Sequence, residues 1–446
     1  MAKRLVVVGG VAGGTSAAAK AKRTNSQWDV VIFEKGPYVS YGGCGLPYYV
    51  EGEIEKKEDL VVRWPRQFRE QGIEVYTHSE VKAIDVDKGE VEVYHAQEGQ
   101  TRRYPFDALV VATGARPLVP PLPGRDLEGI YVLRTPDQGE AIRRELESGN
   151  VKKAVVVGGG FIGVEMCEAL ARWGVEVTVV ELLDQILPPM DRDMADVVAR
   201  YLEEKGVNIL TGHGVEGFLG RDRVEKVVAG GEEIPADMVI LSVGVRPNVD
   251  LAREAGIQLG STGAIAANQR METNVEGVYT AGDCAEARHI ITGEPVYIPL
   301  GTTANKMGRV AGTNAVGGDA VFKGVLGTAV FKVMDLGGAM TGLTEKDASR
   351  RGIPYSVARI TARDRAHYYP GGQRITVKLV YNSETGRLLG SQIVGRWTSV
   401  KRIDAVAVAL YAGMTVEDFS RQDLAYAPPF SPVWDPLLVA ANKAVR

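Results

Sequence analysis

Two glycine-rich turns, each between an apolar run and a helix-like segment, constrain the fold of this chain more than any other feature. Residues 4–8 (RLVVV) predict a buried strand, the alanine-rich stretch to about Arg23 predicts a helix, and DVVIFE, which ends at Glu34, predicts a second strand. The same order recurs at 154–181. Two such βαβ units, about 150 residues apart, indicate two dinucleotide sites or a duplicated domain.

The second unit carries the more regular motif. Gly158, Gly160 and Gly163 have the spacing GxGxxG, and Glu181 ends the next predicted strand. Glycines let the backbone approach a pyrophosphate at the positive end of a helix, and an acid at this position can accept a hydrogen bond from the adenosine ribose. Because the carboxylate would repel a 2′-phosphate, the motif favours NADH over NADPH.

The first unit is less regular, since Val11 stands between Gly9 and Gly14 where a second glycine is usual. Its strand, helix and final acid, Glu34, nevertheless predict a nucleotide site. FAD with NAD(P)H is the pair of nucleotides that one enzyme commonly couples chemically. Asp283 in VYTAGD is then a candidate for the ribityl hydroxyls, with an Asx turn after a strand as the alternative.

Cys44 is the candidate redox residue. It lies ten residues past Glu34, and glycines flank it on both sides, which argues against a packed helix interior. A helix that starts just after it would lower the pKa of its thiol. The alternative is a small buried hydrophobe, the role predicted for Cys167 and Cys284. Three widely spaced cysteines without CxxC predict neither a disulfide framework nor a zinc site, and they fit a reducing cytoplasm.

Composition excludes other classes of protein. Lys and Arg number 52 against 56 Asp and Glu, so the net charge of −4 argues against nucleic acid or an anionic membrane as the main partner. No apolar run reaches the ~18 residues of a membrane span. The five histidines lack the spacing of metal ligands. We therefore expect a cytoplasmic protein that acts on small molecules without a metal.

The spacing alone leaves the roles of two further groups of residues open. Ser16, Lys20 and Arg23 share one face of the first helix and could bind a second phosphate-bearing ligand, or form a solvated face. Tyr368 and Tyr426 lie in Pro-rich turns. They could pack half-buried, or present their phenols to a site on a partner subunit.

Motifs along the whole chain resemble those of the pyridine nucleotide–disulfide oxidoreductases. They are VVVGGVAGG, SYGGCGLPYY, VVATGARP, GGGFIGVE, YTAGD and LAYAPPFSPVWDP. The closer resemblance is to the single-cysteine branch of coenzyme A (CoA) disulfide reductases, CoA-persulfide and polysulfide reductases, NADH oxidases and NADH peroxidases. Among these it is closest to the CoA disulfide reductases.

The resemblance implies an α/β fold with two Rossmann-like dinucleotide-binding domains and a C-terminal α+β dimerisation domain. The FAD-binding domain would be discontinuous, at 1–117 and 250–322, with the NAD(P)H-binding domain at 118–249. The dimerisation domain would take 323–446, and the protein would be a homodimer.

The resemblance also implies roles for single residues. Cys44 would form a mixed disulfide with CoA, and Tyr368 and Tyr426 would reach Cys44 of the other subunit. Phe161 would gate the nicotinamide. The positions that match FAD contacts are Gly9, Val11, Gly14, Glu34, Thr113 and Asp283. Those that match NAD(P)H contacts are Gly158, Gly160, Phe161, Gly163 and Glu181, and those that match CoA contacts are Ser16, Lys20, Arg23, Ser40, Gly43 and Asn305.

Departures from the family pattern narrow the expected activity. A lone Cys44 cannot close its own disulfide, so its oxidised state is a mixed disulfide or a sulfenic acid. Ala12 stands where the oxidases and peroxidases carry a histidine, which argues against peroxide or dioxygen as substrate. Because the sequence reaches only to Arg446, we expect no rhodanese domain of the kind that some persulfide reductases carry, which favours the disulfide reductase without excluding persulfide turnover.

We expect reduction of CoA disulfide to two CoA through a Cys44–S–S–CoA intermediate. The alternatives are a CoA-persulfide or polysulfide reductase, an NADH oxidase that uses a Cys44 sulfenic acid, and a non-catalytic redox-sensing flavoprotein that binds a partner.

Overall fold

The computed structural model describes residues 2–445. Up to residue 117 the chain forms β1 (Arg4–Val8), α1 (Ala12–Thr24), β2 (Asp29–Phe33), α2 (Leu46–Glu51), α3 (Pro65–Arg69), β3 (Ile73–Tyr76), β4 (Ser79–Asp85), β5 (Glu90–His95), β6 (Gln100–Pro105), β7 (Ala108–Val111) and β8 (Ala115–Pro117). It continues with β9 (Ile130–Val132), α4 (Pro136–Glu147), β10 (Lys153–Val157), α5 (Phe161–Arg172), β11 (Glu176–Glu181), α6 (Arg192–Glu204), β12 (Asn208–Thr211), β13 (Val215–Leu219), β14 (Lys226–Ala229), β15 (Glu232–Pro235), β16 (Met238–Leu241), β17 (Val245–Pro247) and α7 (Asp250–Glu254).

The remaining elements are β18 (Val278–Thr280), β19 (Ala287–Arg288), β20 (Pro295–Val296), α8 (Gly301–Ala315), β21 (Ala329–Val333), β22 (Leu336–Gly342), α9 (Glu345–Arg350), β23 (Tyr355–Arg363), β24 (Arg374–Asn382), β25 (Leu388–Arg396), α10 (Ile403–Ala412), α11 (Val416–Ser420) and α12 (Pro436–Val445).

The first βαβ unit builds a five-stranded parallel sheet in the order β18-β7-β1-β2-β3. The central strand β1 is buried from Leu5 to Val8, as expected for a strand covered on both faces. The edge strand β18 follows the second unit in the chain, so the second unit is inserted between β7 and β18. The bounds of the three predicted domains stay a prediction.

The second unit repeats the design in a parallel sheet of order β12-β11-β10-β16-β9. Val156 at its centre pairs with Val179 on one side and Ile240 on the other. The last part of the chain forms an antiparallel sheet, β21-β22-β25-β24-β23. Both βαβ predictions and the α+β character of the C-terminal region are confirmed.

Four C-terminal elements were not predicted: β23, α9, α11 and α12. Strand β23 lacks a clear apolar pattern because most of its residues are only partly buried. Helices α9 and α11 have only six and five residues, and α12 begins at the last residue of the LAYAPPFSPVWDP motif. Within residues 2–445, every helix is too short or too polar to cross a membrane.

A buried lysine ties α6 to the C-terminal sheet. The Nζ atom of Lys378, a residue only 1% exposed, lies 3.1 Å from Oδ2 of Asp191 and 2.6 Å from Oδ1 of Asp193, and it also pairs with Glu345. The three carboxylates are close enough together to hold a metal ion. The ammonium group among them already pairs with all three.

Candidate active site

The glycine turn after β1 is so tight that two of its positions exclude a side chain. Gly9 has a φ of 104°, and a Cβ there would lie 2.2 Å from the backbone oxygen of Ala112. A Cβ at Gly14 would lie 1.9 Å from the oxygen of Gly9. The start of α1 therefore packs directly on the turn, as in a dinucleotide cradle.

The turn after β10 has the same conformation. Gly158 has a φ of 98°, and a Cβ there would lie 2.7 Å from the oxygen of Ser242. A Cβ at Gly163 would lie 2.0 Å from the oxygen of Gly158. The two units are thus duplicates in backbone geometry as well as in sequence pattern.

The irregular glycine motif of the first unit has a steric explanation. Val11 and Gly160 are the N-cap residues of α1 and α5, with φ values of −102° and −72°. A Cβ at Gly160 would meet no atom within 4 Å. Valine is therefore tolerated at this position, where the flanking glycines cannot be replaced.

Both helix N-termini suit an anion. Neither α1 nor α5 has a side-chain cap or an acidic residue in its first turn. The first backbone N–H groups of each helix are thus left for another partner, and the helix dipole favours a negative one. These uncapped ends and the tight glycine turns fit the pyrophosphates of two nucleotides.

The acids at the ends of β2 and β11 are held in the same way. In the first unit, the Glu34 carboxylate accepts hydrogen bonds from the backbone N–H of Gly10 at 2.7 Å and of Gly36 at 2.8 Å. Glu181 accepts from the backbone N–H groups of Gly159 at 2.7 Å and Leu183 at 2.9 Å. Each carboxylate is therefore fixed beside its glycine turn.

The other predicted FAD positions lie at the same sheet edge. Thr113 follows β7 and Asp283 follows β18, so both stand at the carboxyl ends of the two strands on one side of β1, with β7 next to β1 and β18 at the edge. Asp283 accepts a hydrogen bond from Nη2 of Arg134 at 2.8 Å. Sequence reasoning missed Arg134, which belongs to no motif and reaches Asp283 across 149 residues of chain.

Cys44 lies in a 3₁₀ turn, Gly43–Gly45, that leads directly into α2. It is exposed, whereas Cys167 and Cys284 are buried, as predicted for packing residues. The segment before it begins beside the first nucleotide cradle, because the N–H of Ser40 donates to the oxygen of Gly10 at 2.8 Å. Ser40 has a φ of 52°, a strained value for a residue with a side chain.

The prediction that the pKa of the Cys44 thiol is lowered is wrong: the protein groups around the thiol raise it. A helix does start after Cys44, but α2 has only six residues. Partial desolvation, followed by the nearby carboxylates of Glu165 and Asp283, raises the pKa of the thiol, and Arg134 opposes them only in part.

Glu165 connects the redox turn with the second unit. It lies on α5, and its Oε1 accepts a hydrogen bond from the Tyr48 hydroxyl at 3.4 Å. Burial, with the neighbouring Glu168 charge, raises the pKa of Glu165 to about 7, although the Tyr48 hydrogen bond opposes the shift. Sequence reasoning missed this pair; the spacing of four residues from Cys44 to Tyr48 and from Phe161 to Glu165 was the available signal.

Phe161 begins α5 and rests against the last domain. Its ring centroid lies 5.4 Å from that of Phe331 on β21, at an interplanar angle of 33°. The ring is only partly buried. Its role as a gate for the nicotinamide stays a prediction.

Four of the six predicted CoA residues fall on two helices that lie side by side, and the other two, Ser40 and Gly43, lie in the segment that leads to Cys44. Ser16 on α1 donates a hydrogen bond to Oδ1 of Asn305 on α8 at 2.6 Å. A Cβ at Gly308 would lie 2.2 Å from the oxygen of Gly13, and one at Gly312 would lie 2.0 Å from the oxygen of Ala17, so the helices run in the same direction in close contact.

Four cations follow this hydrogen bond along the two helices. They are Lys20, Arg23, Lys306 and Arg309, each of them at least partly exposed. None forms an ion pair within 4.0 Å with a carboxylate of residues 2–445. The arrangement leaves them available for a phosphate-bearing ligand.

Tyr368 and Tyr426 form a pair on the surface of the last domain. Their hydroxyl oxygens are 2.8 Å apart, and the side chains are 64% and 43% exposed. The hydrogen bond to Tyr368 raises the pKa of Tyr426. Of the two alternatives for these tyrosines, the exposure of both side chains favours phenols that are presented to the outside.

The family model of the pyridine nucleotide-disulphide oxidoreductases matches residues 3–308 of this chain. The dimerisation domain of the same family matches residues 328–436.

Three relatives match nearly the full chain. The NAD(P)H coenzyme A polysulfide/persulfide reductase of Pyrococcus horikoshii is 44% identical over 99% of this chain and 98% of its own. An NADH oxidase of Methanocaldococcus jannaschii is 38% identical over 99% of both chains. The coenzyme A disulfide reductase of Staphylococcus aureus is 28% identical over 99% of both chains.

A solved structure confirms the fold. The NAD-dependent persulfide reductase from A. fulgidus superposes with a TM-score of 0.96 at 41% identity. The match covers 99% of this chain and 83% of that one.

Proposed function

Because the chain belongs to the pyridine nucleotide–disulphide oxidoreductases, which use FAD with NAD(P)H, we propose that it is an NAD(P)H-dependent coenzyme A disulfide reductase. The observation that supports it best is the row of unpaired cations on α1 and α8. The row follows the Ser16–Asn305 hydrogen bond, and Ser16 lies on the helix that begins after Gly10, whose backbone oxygen accepts a hydrogen bond from the N–H of Ser40. A disulfide of a phosphorylated nucleotide thiol could place its phosphates on these cations and its sulfur atoms at the exposed Cys44.

Each group of residues then has a part in binding. FAD would be held by Gly9, Val11, Gly14, Glu34, Thr113 and Asp283. NAD(P)H would be held by Gly158, Gly160, Phe161, Gly163 and Glu181. CoA would be held by Ser16, Lys20, Arg23, Ser40, Gly43 and Asn305, together with Lys306 and Arg309.

Cys44 performs the covalent step. Its thiolate attacks one sulfur of CoA disulfide, forming Cys44–S–S–CoA and releasing one CoA thiolate. Bound FAD supplies the two electrons, taken from NAD(P)H, that cleave this mixed disulfide. The second CoA thiolate and the Cys44 thiolate result, and one NADH, one proton and one CoA disulfide yield NAD⁺ and two CoA.

The tyrosine pair would assist the leaving thiolates. Tyr426, with its hydroxyl oriented by Tyr368, can donate a hydrogen bond or a proton to a CoA sulfur. The pair lies in the last domain, and we propose that it acts on Cys44 of the other subunit of a homodimer. The matched dimerisation domain supports this assembly.

The test is anaerobic NADH oxidation by the FAD-loaded protein with CoA disulfide. We expect two CoA thiols per NADH, and loss of this activity in Cys44→Ser with the flavin still bound. Lys20→Ala and Arg23→Ala should each raise KM for CoA disulfide by about 10-fold or more, since a hydrogen bond to a charged group contributes roughly 1.5–3 kcal/mol.

Two controls make the test specific. Pantethine, a disulfide without the nucleotide, should not distinguish these variants from the wild type. Arg102→Ala, which removes an exposed cation paired with Glu98, should leave KM unchanged. Turnover in Cys44→Ser equal to that of the wild type would contradict the proposal.

Reduction of CoA persulfide or polysulfide is the second candidate. The 44% identity to a relative named for that activity favours it, and it would use the same thiol and cations. Comparison of kcat/KM for CoA disulfide, CoA persulfide and polysulfide separates the two.

The oxidase and sensor alternatives have weaker support. A relative 38% identical is named an NADH oxidase, but Ala12 here replaces the histidine expected of such an enzyme. NADH consumption that depends on oxygen and ignores CoA compounds would favour the oxidase. Tight FAD binding without turnover of any disulfide would favour a redox sensor.

A further inference from the structure

The helix that follows Cys44 is too short to position itself. It has six residues, whereas isolated helices need about 12–15 residues to be even marginally stable in water. The 3₁₀ turn that holds Cys44 passes into this helix without an intervening loop. The groups that hold α2 therefore determine where the thiol lies.

Arg143 on α4 binds the C-terminal end of α2. Its Nη1 donates to the backbone oxygens of Tyr49 at 3.2 Å, Ile54 at 3.1 Å and Glu55 at 3.0 Å. Its guanidinium carbon lies 4.9 Å from the centroid of the Tyr49 ring. Tyr49 belongs to α2, whereas Ile54 and Glu55 follow its end, so one cation joins the last turn of the helix to the segment after it and complements the negative end of the helix dipole.

Two other contacts hold α2 against the second nucleotide unit. Nε1 of Trp173, at the end of α5, donates to the oxygen of Val50 at 2.9 Å. At Gly139 of α4, a Cβ would lie 3.2 Å from Cδ2 of Leu46 and 3.4 Å from Cδ1 of Tyr49. Glycine at this position lets α4 approach α2 closely enough for Arg143 to reach its carbonyls.

We propose that Arg143 is a positioning residue for Cys44, which it fixes relative to the second nucleotide unit by tying the end of α2 to α4. The inference rests on the proposed function in taking Cys44 as the redox-active group. Arg143 acts through α2, and its guanidinium is occupied by the three carbonyls and by Glu147 at 2.9 Å.

The experiment compares Arg143→Ala, Arg143→Lys and Trp173→Phe with the wild-type holoenzyme. The matched control is Arg144→Ala, the next residue on α4, whose side chain is 72% exposed and pairs with Glu140. Three properties are measured: CoA-disulfide reduction, NADH–ferricyanide reduction, which needs the flavin but not the thiol, and the pH profile of Cys44 alkylation by iodoacetamide.

For Arg143→Ala we expect at least a tenfold loss of CoA-disulfide reduction, ferricyanide reduction within twofold of the wild type, and an altered alkylation profile. Arg143→Lys should recover part of the loss, and Trp173→Phe, which keeps an aromatic ring, should show the same selective loss to a smaller degree. Trp173→Phe and Arg143→Lys carry the test if Arg143→Ala does not fold.

Two results would overturn the inference. One is CoA-disulfide reduction and alkylation in the Arg143 variants equal to those of Arg144→Ala. The other is an equal loss of both activities with an unchanged alkylation profile, which indicates a general structural role. A wild-type enzyme that reduces no CoA disulfide contradicts the proposed function instead, and the alkylation profile still decides on Arg143.

Discussion

Tyr48 and Glu165 meet where α2 packs on α5, with 3.4 Å between the tyrosine hydroxyl and Oε1 of the carboxylate. Tyr48 lies one helical turn after Cys44, so the contact brings a titratable carboxyl close to the thiol. The charge of Glu165 is the first of the neighbouring charges that raise the thiol pKa.

We therefore expect Glu165→Gln to lower the pKa of Cys44. Removal of one nearby negative charge should shift it by about half a unit to one unit, where one unit corresponds to about 1.4 kcal/mol. The rate of alkylation by iodoacetamide, followed against pH, measures the shift. Glu53→Gln is the control, because Glu53 is not among the main charges that act on the thiol. An unchanged or higher thiol pKa in Glu165→Gln would contradict the expectation.

The same carboxyl should affect stability in a pH-dependent way. The folded protein holds the pKa of Glu165 near 7, against an ordinary 4.5. Between these values the folded state keeps a proton that the unfolded state releases, so the contribution of Glu165 to stability falls as pH rises from about 4.5 to about 7. The loss is at most about 3 kcal/mol.

Glu165→Gln should remove this dependence. In urea unfolding, the variant should gain stability relative to the wild type at pH 8 more than at pH 5. The difference between the two proteins is the quantity to compare, since other groups titrate equally in both. A difference that is the same at both pH values would exclude Glu165 as the source.

Lys378→Met should destabilise the protein strongly. The substitution leaves the carboxylates of Asp191, Asp193 and Glu345 without their shared ammonium group, and Asp191 is buried. Loss of one partner of a buried ion network typically costs about 3–5 kcal/mol. Urea denaturation of the holoenzyme measures it, with Lys401→Met, at an exposed pair with Asp404, as the control. An equal loss of unfolding free energy in Lys378→Met and Lys401→Met would mean that the buried ion network does not stabilise the fold.

NADH should be preferred to NADPH. Glu181 is fixed by two backbone N–H groups, and the next residue, Leu182, is 69% exposed and uncharged. Leu182→Arg should raise kcat/KM for NADPH about tenfold or more, because a charge-assisted hydrogen bond to the 2′-phosphate would contribute roughly 1.5–3 kcal/mol. Leu219→Arg, at another exposed leucine, should have no effect. A wild-type preference for NADPH would contradict the role given to Glu181.

The sequence predicts those elements of the structure that are determined by residues close together in the chain. Strands such as β1 and β10 are buried on both faces and appear as apolar runs, and the tight turns at Gly9 and Gly158 accept no other residue. Cys44 is recognisable because glycines flank it. Strand β23 could not be predicted, because its partly buried residues give no clear alternation.

The contacts between distant segments could not be predicted in the same way. Arg134 reaches Asp283, Arg143 reaches the end of α2, and Glu165 reaches Tyr48, each across about 90 residues or more of chain. Tertiary packing alone brings such pairs together. The prediction for the thiol pKa was wrong for this reason, since it considered only the helix after Cys44 and neither the partial burial of the thiol nor the carboxylates that packing places beside it.

The chain leaves the first sheet and returns to it through adjoining strands, since β8 pairs with β17 and Arg116 stands opposite Arg246. A segment whose two ends are neighbours can be exchanged as a cassette with only two junctions. Replacing it would transplant cofactor preference and leave the FAD cradle intact only if the donor also has an arginine in place of Arg134, which donates a hydrogen bond to Asp283. The donor would also have to supply an arginine and a tryptophan in place of Arg143 and Trp173. Both residues belong to the exchanged segment, and both donate hydrogen bonds to α2, the helix that follows Cys44.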